Sequence, residues 1–417
     1  MGRSGLFLVR LARRIWFRAA LLTVCAVALA LIAGVFGTLI PVELTMNLGQ
    51  GAVGSILQIL ASSMLAVTTF SLTAMVTAYS SATTQATPRS TQLLMDDTTS
   101  QTVLSTFVGS FVFSLVGIIA LSTGYYTDEG RTILFLGTLA VIVIVVVTLL
   151  RWIAHLTRFG RVADVIDRTE NAATDAVRRW ASAPTAYAAT ASGVPGDGDG
   201  DGDGGDVYAE STGYVGFVDL ASLQAIAQRS ETRLAVLRMP GTMADASGPI
   251  VRVIAGTLPA QEYAAVRRAF HVENHRTFDQ DPRLGVIALA EIGSRALSPA
   301  TNDPGTAIDV LGSLQRVFAI ALGAQRSDEV RYDRIEIEPV SLDDLLDDGF
   351  RPIARDGAAV IEVALRLQKT LAALAAASPA RAAQLRAVAD DARRRADSAL
   401  PAQDRETLHA LTRQLWA

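Results

Sequence analysis

Cysteine occurs once in this 417-residue chain, at Cys25, and lysine once, at Lys369. A single thiol cannot build a disulfide framework or a CxxC pair for zinc or redox chemistry. The missing lysines, set against many arginines and alanines, point to a GC-rich genome, so arginine content alone says little about partners. A formal net charge of −4 gives no support to nucleic-acid binding. A nucleophile elbow, a phosphate loop and catalytic-triad spacing are missing as well. An enzymatic reading therefore has no residues to stand on, and no cofactor is implied.

Apolar residues, by contrast, make up 50% of the chain, and a mean hydropathy of +0.32 is too high for an ordinary soluble protein. They crowd into residues 15–152, while 156–417 reads as a soluble protein. Four stretches, roughly 19–40, 53–79, 102–123 and 131–150, have the ~20 apolar residues that a helix needs to cross a bilayer. Arg3, Arg10, Arg13, Arg14 and Arg18 precede the first stretch, Arg89 lies in the second connection, and Arg151, Arg158 and Arg161 follow the fourth. The first connection holds Glu43 and no base, and the third holds Asp128 and Glu129 against Arg131. The positive-inside bias then puts both termini in the cytoplasm. The expected class is a membrane α-helical protein with four transmembrane helices, a cytoplasmic α+β domain and a helical C-terminal tail. It would be a multi-pass membrane protein, with the lipid bilayer as its first partner.

The second stretch is the most polar of the four. Ser55, Gln58, Ser62, Thr69, Thr73 and Thr77 recur at spacings of three, four or seven, which gathers them on one helical face. Small hydroxyl residues pack helices closely, but such a face also suits a hydrated path. Ser62, Thr69, Thr73 and Thr77 are the candidate path residues. No span carries an interior charge of the kind that marks a relay.

Beyond the membrane, residues 156–190 predict an amphipathic stalk helix, 191–206 a Gly/Asp linker, 207–340 the α+β domain and 341–417 a helical region broken at Pro379 and Pro401. In the linker, Asp199, Asp201, Asp203, Gly204 and Glu210 fit a calcium-loop pattern formally. However, Asp206 stands where an apolar residue is usual, so a flexible acidic tether is the plainer reading. His271, Glu273, His275, Asp279 and Asp281 offer metal-ligand types without the HExxH placement, which reads better as a polar loop. No metal is expected.

The stretch "SRALSPATNDPGTAIDVL" is denser in signals than a connection requires. Asp303 before Pro304 is a helix-start signal, and Ser298-Pro299 ends the preceding helix. Capping gives Asn302 and Arg295 no role. Asn302, Asp303, Arg295 and Asp281 are therefore carried as a possible ligand or interface site.

Three segments, "SSATTQATPR" with "DDTTSQTVLSTFVGSFVF", "GYVGFVDLASL" with "LRMPGTM", and "HRTFDQDPRLGVIALAEIGSRALSPATNDPGTA", occur here in that order. Together they resemble a family of predicted bacterial inner-membrane proteins that carry a domain of unknown function. The resemblance covers about 1–325 and implies an integral membrane protein without an assigned activity. The chain departs from the pattern in its Gly/Asp linker and at Gly305, where a bulkier residue is expected. Two roles stay open. One is an oligomeric channel or permeation protein, a homo-oligomer with a cytoplasmic regulatory domain. The other is a scaffold or sensor whose helices only anchor it. An enzyme ranks below both.

Overall fold

The computed structural model describes residues 15–36, 50–182, 187–188, 205–324, 331–338 and 340–417. Two compact units emerge: the described residues of 5–84 and 91–164 form one, and 85–90 with 165–417 the other.

The first unit is all helix: α1 (Ile15–Phe36), α2 (Gln50–Gln85), α3 (Pro88–Met95), α4 (Thr98–Ser122) and α5 (Asp128–Leu156). Helices α2, α4 and α5 are long and apolar enough to cross a membrane, and α1 holds the described part of the first expected span. At 36 residues, α2 is about 54 Å long, well beyond a ~30 Å hydrocarbon core. Helix α4 is central. Its Gly109 and Gly117 lie where an added Cβ would sit 3.5 Å from the Leu22 carbonyl oxygen of α1 and 3.0 Å from Leu57 Cδ1 of α2. Small residues are what let helices approach in this way when lipid supplies no hydrophobic drive. The Tyr126 hydroxyl, in the α4–α5 turn, donates to the Ala30 carbonyl of α1 at 2.7 Å.

The second unit opens with α6 (Val162–Ser182). Val165, Ile166, Thr169, Ala173, Ala176, Val177 and Ala181 are its buried residues, in helical spacing. The expected stalk, 156–190, is thus shorter than its pattern suggested. Residues 157–161 turn at Gly160, whose φ is +77°, and Tyr187–Ala188 is strand β1. The Gly/Asp run at 191–204, with its calcium pattern, lies outside the described residues. Asp206, placed at the end of the linker, instead begins a strand.

Seven more strands follow: β2 (Asp206–Tyr208), β3 (Gly213–Val218), β4 (Arg233–Val236), β5 (Met243–Ala244), β6 (Pro249–Ala255), β7 (Phe270–Glu273) and β8 (Tyr332–Ile337). They form a five-stranded sheet, β1-β8-β4-β6-β2, and a three-stranded one, β5-β3-β7. Helices α7 (Leu220–Arg229) and α8 (Tyr263–Arg268) share their core, centred on Val215, Leu223, Leu234, Val251, Val266 and Ile335.

A helical layer completes this unit: α9 (Pro282–Ala296), α10 (Pro304–Gly323), α11 (Leu342–Asp356), α12 (Ile361–Ala377), α13 (Ala382–Ala399) and α14 (Ala402–Leu415). Helix α10 also meets the length and composition of a span, yet Val310, Leu311, Leu314, Val317 and Phe318 are buried within the unit. Phe318 packs against Phe350 of α11, ring centroids 5.1 Å apart and planes tilted by 32°. A boundary at 340 does not hold for that reason: α11 fills the same core as α9 and α10. The expected breaks at Pro379 and Pro401 fall between α12, α13 and α14.

Candidate functional site

The string "RTFDQDPR" fastens the start of α9. Asp281, 1% exposed, caps the helix: its Oδ1 accepts from the amides of Arg283 (3.0 Å) and Leu284 (3.2 Å). Its Oδ2 accepts from Arg276 Nε at 2.7 Å. The 240–242 turn presses on this carboxylate. Gly241 has φ +95°, and a Cβ there would lie 2.5 Å from Asp281 Oδ2, so backbone freedom and space both call for glycine. Gln280 Oε1 accepts from the Val218 amide of β3 at 3.1 Å. Arg283 forks onto Asp348 of α11 at 2.6 and 3.0 Å. Arg276, Gln280, Asp281 and Arg283 are thus spent on fastening. Arg89, from the 85–90 segment that belongs to this unit, pairs with Glu291 on α9.

The far end of α9 carries the "SPATND" turn. The Ser298 amide and hydroxyl both donate to the Arg295 carbonyl, at 3.1 and 2.7 Å. The Asn302 amide donates to the Ser298 carbonyl, and the Asp303 amide to that of Ala296, each at 2.8 Å. To close the turn, Asn302 adopts φ +48°, a left-handed conformation that asparagine tolerates better than other residues with a side chain. This is the role that capping alone did not give it. Asp303 caps α10 as its position implied: Oδ1 accepts from the Thr306 amide at 3.1 Å and Oδ2 from the Thr306 hydroxyl at 2.6 Å. The Thr306 hydroxyl, then its amide, hold the Asp303 carboxyl below its usual range. A Cβ at Gly305 would sit 3.2 Å from Asp303 Oδ1, tight but tolerable. Arg295 is exposed.

The four candidate residues therefore do not converge. Helix α9, fifteen residues and about 22 Å long, has Asp281 at its start, Arg295 in its last turn and Asn302 and Asp303 beyond its end. His271 and Glu273, expected in a loop, lie on strand β7 with 3.1 Å between Nε2 and Oε1. Among the described residues, no three His, Cys, Asp or Glu side chains are placed to hold a metal.

In the helical unit the hydroxyl row of α2 is exposed: Ser62, Thr69, Thr73 and Thr77 all face outward. Each donates to the carbonyl four residues back, at 3.0, 3.0, 3.0 and 2.9 Å. Helix α4 carries a second polar row that sequence spacing did not separate from the first, and this one is buried: Ser100, Gln101, Ser105, Ser110 and Ser114. Both α4 and α5 also outrun their expected spans, which brings Asp97 and His155 into the unit. Asp97 Oδ2 accepts from the Ser100 amide (2.7 Å) and hydroxyl (2.5 Å) and lies 3.1 Å from His155 Nε2. The imidazole stacks on Trp152 (5.6 Å, 26°) and meets Phe159 at 5.0 Å. Two signals could have pointed here: an Asp-Thr-Thr-Ser start to an apolar run, and the only histidine before residue 271.

A helical bundle able to span a bilayer, continuous in chain with a mixed sheet-and-helix unit, defines a membrane protein of a particular kind. Residues 12–373 match the model of the family described as "Predicted membrane protein (DUF2254)", and the chain belongs to that family. It is similar to the uncharacterized proteins Mb1321c of Mycobacterium bovis and Rv1290c of Mycobacterium tuberculosis. Each is 26% identical over 264 residues, 61% of this chain and 49% of the relative. The chain thus spans about half the length of the curated relatives it matches. No solved structure matches it.

Proposed function

We propose that this membrane protein self-associates in a bacterial inner membrane and forms a permeation path, with residues 156–417 on the cytoplasmic side as its regulatory part. The observation that carries this reading is the uncovered hydroxyl row of α2. Similar residues on α4 are packed away inside one chain, whereas Ser62, Thr69, Thr73 and Thr77 remain outward. A polar face on a spanning helix is suited to a second copy or to water rather than to lipid tails. The arginine-rich flanks of the spans support the orientation. A non-enzymatic role fits the Ser–His–Asp grouping of α4 and α5, because His155 Nε2 faces both Ser100 Oγ (3.5 Å) and Asp97 Oδ2 (3.1 Å). A nucleophile relay needs the two ring nitrogens to face different partners.

A specific observation favours the alternative of a membrane-anchored scaffold or sensor: Ser62, Thr69, Thr73 and Thr77 each close on their own backbone, so that row can meet lipid without an orphaned donor. Conductance of the purified protein in planar bilayers separates the two. In the permeation reading, wild type conducts and Thr69→Val with Thr73→Val changes the conductance at unchanged abundance. Absence of conductance, with a monomer in detergent and in nanodiscs, leaves the anchor reading. For orientation, cysteines placed at Asp128 should react with impermeant reagents added outside, on a Cys25-free background, and cysteines at Ser398 should not.

A further inference from the structure

We propose that the seam between α7 and α8 binds a small organic anion, a carboxylate or phosphate carried on a short apolar body. The two helices are tied at both ends. At one end the Asp219 amide, just before α7, donates to the Ala269 carbonyl, just after α8, at 2.8 Å. At the other, Arg229 in the last turn of α7 reaches Glu262 just before α8, its Nη2 lying 3.4 and 3.3 Å from the two carboxylate oxygens. The helices are therefore antiparallel. Between the ties the facing side chains are small: Ala225 on α7, Ala265 on α8 and Ala269 beyond it. They leave a cavity of about 330 Å³, within the range of about 300–1,000 Å³ common for small-molecule sites.

The lining divides by chemistry. Its floor is apolar, because Ile226 and Ala269 belong to the core beneath both helices, and it suits a ring or a short chain. Its polar groups are Asp219, Ser222, Arg229 and Arg268. Asp219 is 5% exposed and serves as the α7 cap, its Oδ1 accepting from the Ser222 amide at 3.1 Å. The cap occupies the helix start, so the arginines, not the helix end, select the anion. Arg268 is steadied by its own turn, Nε donating to the Ala264 carbonyl at 3.1 Å. Arg229 is 59% exposed in its pair with Glu262, and exposed ion pairs are weak, so an acid group on a ligand can take the place of Glu262. A planar guanidinium holds such a group through two parallel N–H donors. The acid meets arginine at the rim, and the apolar body fills the space that the alanines leave.

The site goes beyond the permeation reading, and binding is measured directly, so its test does not depend on conductance. Benzoate, phenyl phosphate and the neutral benzyl alcohol are titrated into the full chain in zwitterionic-lipid nanodiscs, with empty nanodiscs as the blank, and read by saturation-transfer NMR. The expected result is saturable binding of an anion with a Kd of about 1 mM or tighter, modest for so small a ligand, and none of the alcohol. A preference for benzoate or for phenyl phosphate tells which acid group the site takes. Arg229→Gln and Arg268→Gln should each weaken binding about tenfold or more, as the loss of a charge-assisted bond does. Ala225→Leu, which fills the seam, should abolish it; should that variant fail to fold, Ala265→Leu replaces it. Glu262→Gln should tighten binding by removing the competitor for Arg229, an effect that a purely structural pair would not give. The proposal is overturned if neither anion binds with a Kd below about 10 mM, if benzyl alcohol binds as well as the anions, or if the two arginine variants keep wild-type affinity.

Discussion

Replacing Asn302 tests whether the "SPATND" turn is a backbone device or a ligand site. The residue sits at φ +48°, where an ordinary L-residue costs roughly 1–2 kcal/mol relative to the right-handed region. Asparagine escapes part of that cost, and glycine escapes nearly all of it while gaining unfolded-state entropy worth about 0.4–1 kcal/mol. Asn302→Ala should therefore destabilise the second unit by about 1 kcal/mol, and Asn302→Gly should stay within about 0.5 kcal/mol of wild type. For a unit of this size, 1 kcal/mol moves the midpoint by about 2–4 °C, which differential scanning fluorimetry resolves. The Ala variant loses only side-chain atoms, and the turn's hydrogen bonds from the Asn302 and Asp303 amides, both 2.8 Å, run through backbone that both variants keep. If Gly destabilises as much as Ala, the amide side chain and not the φ angle is what the turn needs, and the reasoning fails. If Gly is stable but abolishes activity in complementation, the side chain serves a ligand.

Other outcomes follow from the same geometry. Gly241→Ala meets a positive φ and a Cβ placed 2.5 Å from Asp281 Oδ2, so it should cost about 2–5 kcal/mol, combining backbone strain and overpacking, as read by urea unfolding. Gly285→Ala places a Cβ 2.5 Å from Ala173 Cα and should cost about 1–3 kcal/mol by wedging α9 from α6. The Asp303 carboxyl is held low by the Thr306 hydroxyl and amide, so its stabilising contribution is present above about pH 4 and is lost as pH falls through the folded value. Asp303→Asn should flatten that acid limb while keeping most of the cap at neutral pH, and Asp303→Ala should cost about 1 kcal/mol at neutral pH; equal loss in both variants would show that charge matters more than capping.

Local signals were legible wherever one residue decides the outcome. Asp303 before Pro304 announced its cap, Asp219 likewise accepts from the Ser222 amide at 3.1 Å, and Pro379 and Pro401 marked breaks because a proline cannot continue the hydrogen-bond ladder. What needed tertiary structure stayed hidden. Asp281 looked like a neighbour of Arg295 and Asn302 in sequence, but α9 starts at Asp281, carries Arg295 in its last turn and ends before Asn302, which sends them to opposite ends. The separate tail expected after residue 340 had no composition break to betray its place in the core; only the packing of Phe350 against Phe318 reveals it. Asn302 was unexplained because a left-handed φ belongs to the turn as a whole and not to any one of its residues.

The two hydroxyl rows make the same point about function. In sequence, α2 and α4 both present Ser and Thr at helical spacing, and both rows bond back to their own carbonyls, as Thr73 does to Thr69 (3.0 Å) and Ser114 to Ser110 (2.9 Å). Periodicity identifies a face; it does not identify what covers it. On α4 the cover is the rest of the unit, and small side chains there let Leu22 and Leu57 close in. On α2 no such cover exists among the described residues. On the proposed reading the exposed row of α2 serves assembly, and it is open to a variant that leaves the packed row of α4 untouched.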